Sequence, residues 1–500
     1  MFETAELHRK LSKEEYVRRS EAVRTRLLQL QHRLVDHPEF SVVVVIGGVE
    51  GAGKGDVLNL LFEWMDARHL LTHAFGPPNE AEAERPRYWR YWMALPPKGK
   101  VSVFLGSWYT EPIVRRVLGT STDAELDFSM QRAADFERGL AQDGTLVVKF
   151  WIHISKAEQK RRFKKLAKSK RNGWRVTKED WKRHEHYDEF RSVCERAIRH
   201  TSTGLAPWTI VEGTDAAYRN VAIAEHLAER IEARLDAAEQ PVTATPASAD
   251  EPDPDTILDT LDLSRKLGRK EYARQVEELQ ARLNGLSRKI AKKKLGLSLV
   301  FEGWDAAGKG GAIRRITRAL DARHYRVISV AAPTDEEKAH HYMWRFWRHL
   351  PRRGHTTIYD RSWYGRVLVE RIEGFATQDE WTRSYKEIND FEEQLVEHGI
   401  VVVKYWLHIS REEQLARFES RQREAWKHYK LGPEDFRNRE KWNAYEGAAG
   451  EMIERTSTEF APWVLVEAED KRYARVKVLE QCCQRIEAVL ATGDRKPKRR

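Results

Sequence analysis

A segment reading Gly48-Val-Glu-Gly-Ala-Gly-Lys-Gly-Asp56 returns 255 residues later as Gly303-Trp-Asp-Ala-Ala-Gly-Lys-Gly-Gly311. The same offset pairs Asp66-Ala-Arg-His69 with Asp321-Ala-Arg-His324, and Trp89-Arg-Tyr-Trp92 with Trp344-Arg-Phe-Trp347. It also pairs Ser107-Trp-Tyr109 with Ser362-Trp-Tyr364, and Ala206-Pro-Trp208 with Ala461-Pro-Trp463. So constant an offset means one whole domain written twice, not a short-period solenoid. Differences between the copies then separate what the fold needs from what a reaction needs.

Five hundred residues suit two domains of roughly 200–250 residues, each able to bury a core. The expected limits are 1–235 and 257–492. Between them lies a flexible linker, 236–256, rich in proline, alanine and acid, and after them a basic tail, 493–500. No run approaches the ~18 apolar residues of a membrane span, so no membrane partner is expected. The opening Met1-Phe-Glu-Thr-Ala-Glu6 lacks the form of a signal peptide. Three cysteines, Cys194, Cys482 and Cys483, make no disulfide framework. A cytoplasmic location is expected. The net charge of +10 implies attraction to polyanions without naming one.

Each half opens with an amphipathic helical pattern, Leu11–Val35 and Leu267–Ile290. In the second half, strands are expected at Leu297–Glu302, Tyr325–Val330, Thr356–Asp360, Ile400–His408 and Trp463–Glu467. Their apolar runs do not alternate, which suits parallel strands buried on both faces. Helical patterns separate them. The expected fold class is α/β: two tandem P-loop kinase-like domains, each a doubly wound, mainly parallel five-stranded sheet flanked by helices, with a helical lid. Ligands in such sheets sit beyond the carboxyl ends of the strands.

Gly303-x4-Gly308-Lys309 follows one of these strands and precedes a helical pattern, the setting of a phosphate-binding loop. Backbone at Gly303, Ala306, Ala307, Gly308, Gly310 and Gly311 would cradle phosphate oxygens, aided by the helix N-terminus. Lys309 would act as a point charge on the transferred phosphoryl group. The loop departs from the usual pattern at Gly310, where a Ser or Thr hydroxyl would meet Mg²⁺. The metal, Mg²⁺ or alternatively Mn²⁺, must then be held elsewhere. Asp305, and Asp360 at the end of the third strand, are the natural hard-oxygen ligands.

The first copy has Glu50 for Asp305, Leu105 for Asp360, Gly106 for Arg361 and Glu111 for Arg366. Leucine cannot coordinate a metal, and neither glycine nor glutamate neutralises phosphate charge. The first domain is therefore expected to keep the fold without the reaction. The surviving Trp108/Trp363 and Trp151/Trp406 pairs read as packing. Residues 156–185 hold 13 Lys/Arg against 4 Asp/Glu, where the equivalent 411–440 hold 8 against 7. That excess reads either as a solvated face or as a tether for a long polyanion.

The loop, Tyr359-Asp-Arg-Ser-Trp-Tyr-Gly-Arg-Val-Leu-Val-Glu-Arg371, Met343-Trp-Arg-Phe-Trp347 and Ala461-Pro-Trp463 together resemble the family-2 polyphosphate kinases. Those P-loop enzymes move phosphoryl groups between inorganic polyphosphate and nucleotides. The resemblance covers nearly the whole chain, once per half. The fused duplicate and Ser-Trp-Tyr-Gly-Arg366 look like the class II branch, which makes ADP from AMP and tends to retain activity in its C-terminal copy. By this resemblance Asp305 and Asp360 organise Mg²⁺ and the acceptor phosphate, and Lys309 holds the polyphosphate end. Arg361 and Arg366 steady the transferring group, and Arg417, Arg421 and Arg423 are lid contacts to polyphosphate. The implied partners are polyphosphate and AMP or ADP, and the family habit implies a homo-oligomer. Arg345 is a further candidate beside the nucleotide, although the first copy keeps it as Arg90.

Two other readings use the same residues. An ATP-dependent nucleoside monophosphate kinase would employ the same lysine and metal with another donor. A non-catalytic polyanion- or nucleic-acid-binding protein would use old loops only for anions. No helix-turn-helix, zinc-finger or RNA-binding signature accompanies the charge, so nucleic acid is not the expected partner.

Overall fold

The computed structural model describes residues 1–171, 173–238, 256–424 and 432–493. Nearly all of the expected linker and the basic tail fall outside the described residues. Two compact units emerge. One gathers Met1–Pro78, Arg90–Ala244 and Thr334–His341, the other Asn79–Trp89, Thr245–Pro333 and Tyr342–Arg500.

The first unit holds β1 (Val42–Gly48), β2 (Leu70–Ala74), β3 (Val101–Leu105), β4 (Leu146–His153) and β5 (Trp208–Glu212). The second holds β6 (Gly296–Gly303), β7 (Tyr325–Ser329), β8 (Thr356–Asp360), β9 (Ile400–His408) and β10 (Trp463–Glu467). Both sheets are wholly parallel, with orders β2-β3-β1-β4-β5 and β7-β8-β6-β9-β10. Even the register repeats: Val42 faces Val101 and Leu146, and Leu297 faces Thr356 and Val401. β4 and β9 are buried from end to end, as unbroken apolar runs require. β7 differs from expectation. Tyr325–Ser329 lies at the sheet edge with no buried residue, because only one neighbour covers it.

The opening helices run Lys13–Asp36 and Arg269–Lys292. Val23, Leu27, Leu30 and Leu34 form the buried stripe of the first, and Leu283, Leu286 and Ile290 that of the second. Each packs on the closing helix of its own unit, Ala216–Ala238 or Lys471–Gly493. No helix among the described residues is long and apolar enough to cross a membrane. The three cysteines are buried and free.

One buried network explains why the Trp-Tyr pairs recur. Lys149 Nζ lies 2.6 Å from Glu137 Oε2 and donates to the Thr201 carbonyl at 2.8 Å. Trp108 Nε1 and the Tyr109 hydroxyl also donate to Glu137. Lys404, Glu392, Thr456, Trp363 and Tyr364 repeat all four contacts in the second unit. The pairing satisfies two charges away from water, and removing one partner would cost about 3–5 kcal/mol. Its presence in both copies assigns these residues to the fold.

Candidate active site

β6 delivers the chain into the loop through Gly303, at φ 133°. A Cβ there would lie 2.3 Å from the Leu407 carbonyl oxygen, so no other residue fits. Gly308, at φ 109°, then caps the helix Lys309–Thr317. The carbonyls of the loop are turned toward the helix Arg411–Arg423. Gln414 Nε2 donates to the Asp305 carbonyl at 3.2 Å, and Arg417 Nη1 to those of Ala306 and Ala307 at 2.9 and 3.1 Å. The amides of Ala306, Gly308, Lys309 and Gly310 have no partner among the described residues. Four free donors at a helix N-terminus make an anion cradle. Lys309 Nζ folds back along it onto the carbonyls of Gly303 (2.6 Å) and Trp304 (3.2 Å). Burial pulls the Lys309 ammonium down from its ordinary value, against the opposing pull of Asp305, Asp360 and Glu302.

The end of β8 meets this loop. Asp360 faces Phe301 in register, and the next residue, Arg361, donates its amide to the Phe301 carbonyl at 3.0 Å. Arg361 takes a left-handed φ of 64°, and Ala306 one of 63°. An L side chain pays about 1–2 kcal/mol there, a strain that persists where the surroundings fix it and that clusters at functional sites. The first copy has glycine at both places, Gly106 and Gly51. Arg361 uses the turn to place Nη2 2.7 Å from Asp305 Oδ1, tying β8 to the loop. Asp305 Oδ2 accepts from Asn438 at 3.3 Å, on the helix Pro433–Glu440. Burial would raise the Asp305 carboxyl, but Lys309, Arg361 and these hydrogen bonds outweigh it and hold it below its usual range.

A third carboxylate escaped sequence reasoning. Glu302 is buried at the end of β6 and accepts from Ser362 Oγ at 2.7 Å. Burial pushes it above the usual carboxylate range, partly offset by Ser362, Lys309 and Arg361. The signal was available: an acid closes the apolar run Leu297–Phe301, where the first copy has Gly47.

The structure thus brings Asp305, Lys309, Asp360 and Arg361 to one place, and leaves other expected residues elsewhere. Arg366 lies over the Tyr342 ring at 4.4 Å with Nε 3.2 Å from Glu370, and among the described residues no hydrogen bond or ion pair joins it to the loop. Arg345 donates to the Ala331 carbonyl at 2.9 Å, as Arg90 does to that of Gly76 at 3.0 Å. The shared bond supports a packing role. Arg417 calls for a correction. Beyond its two loop bonds, it pairs through Nε with Glu413 at 2.6 Å, and Nη2 serves the carbonyls of Ala468 and Glu469, each at 2.8 Å. With all five N–H groups committed and 5% of its surface exposed, it is the clamp of the loop and has no donor left for a phosphate chain. Arg162 repeats the clamp on Gly51, Gly213 and Thr214. Arg421 is half-buried on the same helix, and Arg423 is exposed, 3.4 Å from Glu419. Residues 425–431 of the expected lid lie outside the described residues.

In the first copy the same loop is closed upon itself. Glu50 lies 3.3 Å from Lys54 Nζ and 3.6 Å from Arg183, the counterpart of Asn438. Arg219, where the second copy has Ala474, donates to the Ala52 carbonyl at 3.0 Å and fills the space beside Gly53.

Comparisons with known proteins cover both halves of the chain. The family model described as Polyphosphate kinase 2 matches residues 10–239 and again 266–492. A polyphosphate:AMP phosphotransferase of Pseudomonas aeruginosa is 48% identical over 98% of this chain and 99% of its own. One from Pseudomonas syringae pv. tomato is 45% identical over 99% of this chain and 100% of its own. A crystal structure from Pseudomonas aeruginosa PA01 assigned to polyphosphate kinase 2 superposes with a TM-score of 0.89 at 46% identity, covering 100% of both chains. Two phosphate-binding loops in register, matched by the family model once per half, leave one conclusion: the chain belongs to the polyphosphate kinase 2 family.

Proposed function

We propose that the protein is a polyphosphate:AMP phosphotransferase, moving the terminal phosphoryl group of inorganic polyphosphate to AMP and releasing ADP. The reaction belongs to the loop and β8 of the second half, the catalytic domain (257–492), with 1–235 an inactive copy. The observation that carries this assignment is the 2.7 Å bridge from Arg361 to Asp305, beside Lys309 and Asp360. Of its four members the first copy keeps only the lysine.

A phosphate oxygen of AMP is ionised near neutral pH, so attack on the terminal phosphorus needs no strong general base. Alignment and charge neutralisation suffice. The free loop amides and Lys309 would hold the end of the polyphosphate chain. Arg361 would balance charge on the group in transfer. Arg421 and Arg423 remain candidates for contacts farther along the chain, whereas Arg366 would act only at a distance from the loop.

Asp305 and Asp360 fit a hard divalent cation by donor chemistry, since both are carboxylates beside a phosphate cradle that lacks the usual hydroxyl. No cluster of three or more His, Cys, Asp or Glu metal ligands occurs among the described residues. A pair of carboxylates suits Mg²⁺, which shares its coordination between one or two carboxylates, water and substrate phosphates. When bound, the ion would supply further charge neutralisation on the phosphates.

A donor-by-acceptor matrix tests the proposal. Purified protein is given polyphosphate or ATP with AMP, and nucleotide products are separated. ADP from AMP and polyphosphate without ATP is the expected result. Phosphorylation of AMP by ATP alone would make it a nucleoside monophosphate kinase instead.

A further inference from the structure

The first half carries a strongly charged face that the proposed reaction does not use. From Gln159 to Lys178 there is no acidic residue. Lys164, Lys165, Lys168, Lys170, Arg171 and Arg175 are all exposed, on the helix Lys156–Ala167 and the turns after it. None of these six side chains has a hydrogen bond or ion pair among the described residues. Such a concentration of unpaired cations costs free energy through self-repulsion and is relieved by a bound polyanion. The equivalent stretch of the second half, Gln414–Pro433, holds two acidic residues, Glu419 and Glu424, against five Lys/Arg.

The loop of the first half is a poor anion site, because Glu50 already lies against Lys54 and Arg183. Its unpaired cations lie instead on the helix Lys156–Ala167 and the turns after it. An extended, flexible polyanion fits such a surface better than a single phosphate. Each of its units meets a separate cation and no shaped pocket is needed.

We propose that this acid-free face is a non-catalytic holding site for long inorganic polyphosphate. The inference rests on the phosphotransferase reading above. Because both halves share one chain, a polymer held by the first half stays at high effective concentration for the second as its end is consumed. Trp174, 77% exposed among these cations, would suit a stacked base, so single-stranded RNA is the rival occupant.

The test uses the full-length protein with Lys164→Gln, Lys165→Gln, Lys168→Gln and Lys170→Gln combined. At low salt the KM for long-chain polyphosphate should rise on the order of tenfold, while kcat and the KM for a short oligophosphate stay put. Equal shifts for long and short donors, or no shift for either, overturn the proposal. A second measurement does not depend on turnover. Full-length protein carrying Lys309→Ala should still bind long-chain polyphosphate, and should lose that binding when the four glutamines are added. Loss of binding from Lys309→Ala alone, or displacement of polyphosphate by equimolar single-stranded RNA, overturns it as well. Turnover of short oligophosphate with AMP by the unaltered protein reports on the underlying reading separately.

Discussion

The two loops share a backbone and differ in what they do with charge. In the first, Glu50 lies between Lys54 and Arg183, and Arg219 occupies the space beside Gly53. In the second, Asp305 is shorter by one methylene, Asn438 replaces the arginine, and Ala474 leaves that space open. On the proposed assignment an inactive copy is more than an active one with residues deleted: its own side chains lie against the loop that the other copy keeps open. The comparison teaches that the clamp, the buried Lys-Glu pair and the sheet belong to the fold, and that the proposed reaction rests on four or five side chains in which the copies differ.

The strongest way to break this contrast is to treat both lysines alike. Lys309→Ala should lower polyphosphate-dependent ADP formation on the order of 10³-fold, the loss expected for a preorganised charge in a phosphoryl-transfer site. Asp360→Asn should do the same. Lys54→Ala should leave turnover unchanged, with all three variants folded by circular dichroism. A substantial loss from Lys54→Ala would return the first half to the chemistry.

The clamp should behave the opposite way in stability. Arg162→Met and Arg417→Met each strand loop carbonyls that a guanidinium now satisfies, at a cost of about 3 kcal/mol in the unit concerned. Denaturant unfolding should register both. Only Arg417→Met should also lower kcat, since the proposed reaction uses only its loop. If Arg417→Met raised the KM for polyphosphate alone and left unfolding unchanged, the arginine would be a lid contact after all.

A sharper comparison transplants one residue. Arg361→Gly installs the first copy's Gly106 and removes both the guanidinium and the left-handed strain. Turnover should fall about 10²-fold. Stability should not fall, because relieving a strain of about 1–2 kcal/mol offsets an ion pair whose arginine is 48% exposed. Activity and melting temperature moving in opposite directions would mark a strained functional residue. A parallel drop in both would make Arg361 a structural strut.

How much of this was legible follows from what each residue must satisfy. The duplication and the unbroken apolar runs exposed both sheets, and the three inner strands of each are buried as such runs require. β7 misled because its apolar residues look alike whether one neighbour or two pack beside them. Asp305, Lys309, Asp360 and Arg361 were readable as differences between copies, apart from the lysine that both keep. Arg417 was not. A basic residue on a lid helix looks the same whether its donors face solvent or the carbonyls of a distant loop, and only the fold decides. Gly106, the counterpart of Arg361, is both a lost charge and a backbone signal: the turn needs a left-handed residue in both copies.

Glu302 gives the finest test, because it is a buried acid at the end of β6 where the first copy has Gly47. Its carboxylate touches Ser362 and balances Lys309 and Arg361, so Glu302→Gln keeps the shape and removes the charge. Turnover should fall about tenfold, through misplaced cations and not through loss of a reacting group. The stability consequence has a definite sign. Burial raises this carboxyl in the folded protein, so the folded state binds more protons than the unfolded chain above the ordinary carboxylate pKa, 4.5. Glu302 therefore costs stability progressively as pH rises through its folded value, and costs nothing below the unfolded one. Glu302→Gln should melt higher than the unaltered protein at neutral pH, with the gap closing as pH falls toward 4.5. A gap that widens on acidification would mean that Glu302 is held charged by Lys309 and Arg361, and that it belongs with Asp305 among the carboxylates that face the cation.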